Sequence, residues 1–169
     1  MKIKRLYIIL AIVGFIGLCP LARYFLLNEI VIHCSATPQG KEYSLEQITD
    51  WHKKRGFGTI GYNYIIHLDG KIEKGRSLWL PGAHCRQKGR NFTSIGICYI
   101  GGCATDGKTP KDTRTVAQKE AMEKLVKNLQ KKYSIKTING HRKYAQKACP
   151  SFDVTLELKT KRGKCGNYN

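Results

Sequence analysis

Three side chains in this sequence could together hold a transition metal: His33, His141 and Cys149. Two neutral imidazoles and a thiolate are the nitrogen and sulfur donors that zinc prefers, and a three-ligand set leaves the fourth tetrahedral position open for water or a substrate oxygen. The eight-residue step from His141 to Cys149 is long enough for the chain to fold back on itself. The spacing leaves blander readings open. A histidine at a strand end is often only hydrogen-bonded, and a lone cysteine is often only buried.

Stiff mounts for such a group can be read from the flanking pattern. Glu29 to Cys34 is apolar and β-branched and predicts a buried strand that ends at His33. Ser44 to Gln47 is a capping-box pattern that should open a helix running to about Arg55, stopped by Gly56 and Gly58. Tyr62 to His67, the Asp69-Gly70 turn and Lys71 to Lys74 read as a hairpin, and Ser94 to Ile100 as a second central strand. Thr115 to Gln118 repeats the capping box. Val116, Ala117, Ala121, Met122, Leu125, Val126 and Leu129 then recur at helical spacing as a core-facing stripe. Lys136 to Asn139 should return as a strand that delivers His141. Strands interleaved with helices predict an α/β domain, a central mixed sheet flanked by helices.

The chain has 169 residues, with 30 Lys plus Arg against 12 Asp plus Glu, a formal charge of +18. An apolar content of 41% excludes a disordered polycation. Lys2, Lys4 and Arg5 precede an uncharged run from Leu6 to Ala22, which predicts a cleaved export signal or a retained membrane anchor over residues 1–28, with the anchor favoured by poor cleavage sites. The charge asymmetry about the run places the domain outside the cytoplasm, in the periplasm or cell envelope. The domain itself is expected over residues 29–158, followed by a basic tail over 159–169. Residues 29–169 keep 26 basic against 12 acidic groups, or +14, so the basicity belongs to the domain. Seven cysteines show no metal-repeat or disulfide framework, and Cys34, Cys85, Cys98 and Cys103 read as buried or paired. His52 and His67 fit no motif and are expected at the surface. Nothing resembles a nucleic-acid recognition helix or an aromatic-basic groove, so no nucleic-acid partner is expected.

Taken in order, five blocks are recognisable: His33-Cys34-Ser35-Ala36-Thr37; Gly61-Tyr62-Asn63-Tyr64; Gly82-Ala83-His84; Asn91 through Ile97; and His141-Arg142 followed by Lys147-Ala148-Cys149-Pro150-Ser151-Phe152-Asp153. Together they resemble the type 2 N-acetylmuramoyl-L-alanine amidases, most closely the small phage lysozyme-amidases, with the peptidoglycan recognition proteins as more distant relatives. The resemblance runs from about Ile30 to Asp153. It implies one Zn2+ per chain on His33, His141 and Cys149, with Tyr62 and Lys147 as the assisting catalytic pair. It also implies that His84, Asn91 and Ser94 lie near the substrate groove or support its walls. The reaction implied is hydrolysis of the amide between the lactyl group of N-acetylmuramic acid and L-alanine in peptidoglycan by a monomer. The alternative is a module that binds peptidoglycan without cutting it. Two positions depart from the pattern: Lys143 stands where many relatives carry an acid, and Gln146 where many carry proline.

Overall fold

The computed structural model describes the backbone of residues 20–159 and the side chains of residues 23–158. The elements run α1 (Pro20–Leu26), β1 (Glu29–Cys34), β2 (Thr37–Pro38), α2 (Leu45–Lys54), β3 (Tyr64–Ile66), β4 (Ile72–Lys74), α3 (Arg90–Thr93), β5 (Ser94–Tyr99), β6 (Gly102–Cys103), α4 (Val116–Lys132) and β7 (Thr137–Gly140). The main sheet has the order β4-β3-β5-β1-β7, with β3, β5, β1 and β7 parallel and β4 an antiparallel edge. β2 and β6 form a separate two-stranded parallel pair.

Burial explains why β1 reads as an unbroken apolar run. It lies between β5 and β7, and all six of its residues are buried, as expected for a central parallel strand covered on both faces. Ile30, Ile32 and Cys34 enter the larger core with Met122, Leu125, Val126 and Leu129 of α4. The period of two then turns Val31 and His33 to the opposite face. There α2 covers a smaller core of Ile48, Ile60, Ile65, Cys98 and Ile100. The sheet thus has a thick structural face and a thinner face that carries His33.

Both capping boxes form, Ser44 with Gln47 and Thr115 with Gln118. Gln118 does more than cap its helix. It is fully buried, and its Nε2 donates to Ile66 O (3.1 Å) and Ile100 O (2.9 Å), tying α4 to the ends of β3 and β5. Val116, expected in the apolar stripe, is instead 73% exposed. The helix begins there, and Gln118, two residues on, faces inward instead.

The packed domain starts upstream of Glu29. Leu27 is in the core, and the buried Arg23 guanidinium donates to the carbonyl oxygens of Leu78, Asn91 and Ser94. Of the leader or anchor expected over residues 1–28, residues 1–19 lie outside the described part, as do Cys165 and the basic tail beyond residue 159. Among the described residues no helix is long and apolar enough to cross a membrane. Cys34, Cys85, Cys98 and Cys103 are all buried and unpaired.

The two histidines expected at the surface are buried. His52 sits on the inner side of α2, where its Nδ1 accepts the Gly61 N–H at 2.8 Å. His67 is held between Glu42 and Glu73, at 2.9 Å from each carboxylate. Neither position follows a motif, because each partner comes from tertiary packing.

Candidate metal centre and active site

Three elements converge on one point. β1 delivers His33, the turn after β7 delivers His141, and the following loop returns Cys149. The loop is fastened at several places: Arg142 N–H donates to Cys149 O (2.7 Å), Tyr99 Oη to Pro150 O (2.7 Å) and Ser151 Oγ to Gly102 O (2.8 Å). One ligand atom from each of His33, His141 and Cys149 falls within 4.8 Å of the others. His33 Nδ1 lies 3.8 Å from Cys149 Sγ. Two ligands on one tetrahedral zinc would stand roughly 3.5 Å apart, given bonds of about 2.0 Å to nitrogen and about 2.3 Å to sulfur. The residues present therefore fit zinc.

The electrostatics suit a neutral-imidazole site. Burial first, then the neighbouring His84, His141, Lys147 and His52, holds the His33 pKa well below its ordinary value. Burial and the Lys147 ammonium lower that of His141. Both rings are thus unprotonated and able to donate a lone pair at neutral pH. The Cys149 thiol is pushed up, by the adjacent Cys34 thiol and then by burial, so its ionisation calls for a cation beside it. One compensating contact is in place, the Cys34 N–H donated to Cys149 Sγ at 3.3 Å.

Around this point the expected residues divide into two groups. The half-buried Tyr62 ring packs 5.1 Å from that of His33 and 5.0 Å from that of His52. Burial raises the Tyr62 hydroxyl well above its ordinary value, so it is a neutral donor at neutral pH. Lys147 is exposed at the mouth and close enough for its charge to act on both His33 and His141. His84, Asn91 and Ser94 turn inward instead. His84 Nδ1 is 3.1 Å from His33 Nε2, Asn91 Oδ1 accepts the N–H groups of His84 (3.0 Å) and Cys85 (2.8 Å), and the fully buried Ser94 donates its Oγ to Arg90 O (2.6 Å). Their polar atoms are engaged within the protein, on His33, on the backbone of residues 84 and 85, and on Arg90.

Sequence reasoning missed the part played by His52, which supports Tyr62 from α2. It also could not place Lys143, whose Nζ donates to Asn139 Oδ1 at 3.1 Å. Asn139 and Tyr144 in turn donate to the buried Glu29 carboxylate, which also pairs with Arg90 at 3.3 Å. The lysine standing where relatives carry an acid is thus absorbed into a polar cluster at the far end of β1.

Known proteins resemble this chain in sequence and fold. The N-acetylmuramoyl-L-alanine amidase family matches residues 26–152. The endolysins of Klebsiella phage KP32 and Escherichia phage T7 are each 39% identical over 127 residues, covering 75% of this chain and 82% of theirs. Peptidoglycan-recognition protein 2 of Holotrichia diomphalia is 32% identical over 143 residues, covering 81% of this chain and 74% of its own. The solved endolysin amidase LysCS from Clostridium intestinale superposes with a TM-score of 0.69 at 28% identity, covering 83% of this chain and 86% of its own. The chain belongs to the type 2 N-acetylmuramoyl-L-alanine amidase and peptidoglycan recognition protein family, and it is an amidase.

Proposed function

We propose that the protein is a zinc-dependent hydrolase that releases stem peptides from peptidoglycan by cutting the amide between the lactyl group of N-acetylmuramic acid and L-alanine. The observation that carries this reading is the gathering of His33, His141 and Cys149 within 4.8 Å at the open end of the sheet. These three would hold one Zn2+. When bound, the ion supplies a Lewis acid that acidifies water and polarises the amide carbonyl. The protein's own residues carry the rest. The Lys147 ammonium stands where it can stabilise the oxyanion of the tetrahedral intermediate, an electrostatic role worth several kcal/mol in comparable sites. The Tyr62 hydroxyl, kept neutral by burial, orients the attacking water or donates a proton to the departing amine. His52 and the small core under α2 keep Tyr62 against His33.

The same reading makes the substrate a polyanionic wall polymer, so the charge of +14 over residues 29–169 assists encounter. It assigns the action to the cell envelope, reached through an export signal or anchor in the N-terminal segment that precedes the packed domain, and carried out by a monomer. Purified sacculi provide the test. Mass spectrometry should find free stem peptides with a new L-alanine amine and intact glycan strands. Binding to sacculi without release of peptides would favour the non-cutting module, and cleaved glycan would refute the assigned bond.

A further inference from the structure

The His84 ring is seated with more care than a packing histidine needs. A Cβ on Gly96 would stand 2.5 Å from its Cδ2, and one on Gly82 would stand 2.6 Å from the same atom, so two glycines make the slot that the ring fills. Asn91 Oδ1 clamps the backbone of His84 and Cys85, while Asn91 O takes the Gly82 N–H at 2.7 Å and a hydrogen bond from the buried Arg23. The outcome of this bracing is the single contact between His84 Nδ1 and His33 Nε2, at 3.1 Å. His84 Nε2 is buried and meets no side-chain acceptor among the described residues, and the Ser94 backbone is the polar group that acts on the ring.

Two neutral imidazoles in hydrogen-bond contact need one donor and one acceptor. His33 can offer its Nδ1 lone pair beside Cys149 Sγ only when its proton is on Nε2, and that proton then points at His84 Nδ1. The acceptor state of His84 Nδ1 in turn puts the His84 proton on Nε2. We infer that His84 is a positioning residue, whose Nδ1 accepts the His33 Nε2–H and fixes His33 in the tautomer and ring orientation that present Nδ1 to the zinc. The inference rests on the zinc reading above. The slot residues Gly82 and Gly96 and the brace Asn91 act through His84.

The test measures zinc affinity as well as turnover. An asparagine at this position can place an acceptor oxygen near the site of Nδ1, whereas phenylalanine keeps the ring shape without an acceptor. His84→Phe should weaken zinc binding about 10- to 100-fold, the usual effect of losing a partner behind a metal-bound histidine. His84→Asn should stay within a few-fold of wild type. Gly96→Ala, which displaces the ring, should follow His84→Phe. On the zinc-loaded wild type, nitrogen–proton correlation of the histidine rings should show a proton on His33 Nε2 and metal coordination at Nδ1, a readout that does not depend on any variant folding. Coordination through His33 Nε2, or a folded His84→Phe with wild-type zinc affinity, would overturn the inference while leaving the zinc reading intact. Absence of zinc binding by the wild type would overturn both.

Discussion

Acid should weaken this fold through His52, and the size of the effect follows from one hydrogen bond. His52 Nδ1 accepts the Gly61 N–H at 2.8 Å, so protonating the ring sets two donors against each other in a site where the residue is only 5% exposed. Burial first, then the Arg55 charge, lowers its pKa from 6.5 to about 4. Because the folded value is depressed, the unfolded chain takes up the proton first. His52 therefore costs nothing above its ordinary value, and stability falls as the pH drops through the window from 6.5 towards 4. Between about pH 7 and about pH 5 the linkage relation gives a loss of roughly 2 kcal/mol from this one group, levelling off near roughly 3 kcal/mol below the folded value. Urea denaturation of metal-free protein at the two pH values measures it, with His52→Asn as the control, since the amide oxygen can accept the same N–H without titrating. The difference between wild type and variant isolates His52 from the other buried histidines. Equal pH dependence in the two proteins would refute the reasoning.

The remaining predictions concern the site and the frame that holds it. Lys147→Ala should retain zinc, as measured by elemental analysis, and lose turnover on sacculi by about 10²–10³-fold, the scale of losing one group that stabilises an oxyanion. Tyr62→Phe should likewise keep the metal and the fold, and lower kcat more than it raises KM. Gln118→Leu should cost roughly 2–4 kcal/mol in urea denaturation, because it orphans Ile66 O and Ile100 O and removes half of a capping box. An unchanged denaturation midpoint would show that those carbonyls find other partners.

The readable parts of this protein were those governed by local rules. β1 spans Glu29–Cys34 as its β-branched run implies, and both capping boxes open their helices where Ser44 and Thr115 stand. The gathering of His33, His141 and Cys149 was legible in part for a related reason: His33 and His141 stand at the ends of β1 and β7, which local patterns mark, while Cys149 is returned by a loop. What stayed hidden depends on contacts across long separations. His52 bonds to Gly61 and packs on Tyr62, His67 lies between Glu42 and Glu73, and His84 reaches His33 through a slot cut by Gly82 and Gly96. No periodicity encodes such pairings. The exposed Val116 shows the opposite error, in which a helical apolar pattern was extended one residue beyond the turn that the core covers.

Zinc stoichiometry of the stripped and reconstituted protein tests the central claim most directly. Chelator-treated wild type titrated with Zn2+ should bind one ion per chain and regain peptide release in proportion to the metal bound, and Cys149→Ala should lose both binding and activity. Full peptide release by metal-free protein, or tight stoichiometric zinc in Cys149→Ala, would contradict the assignment of His33, His141 and Cys149 as the metal centre.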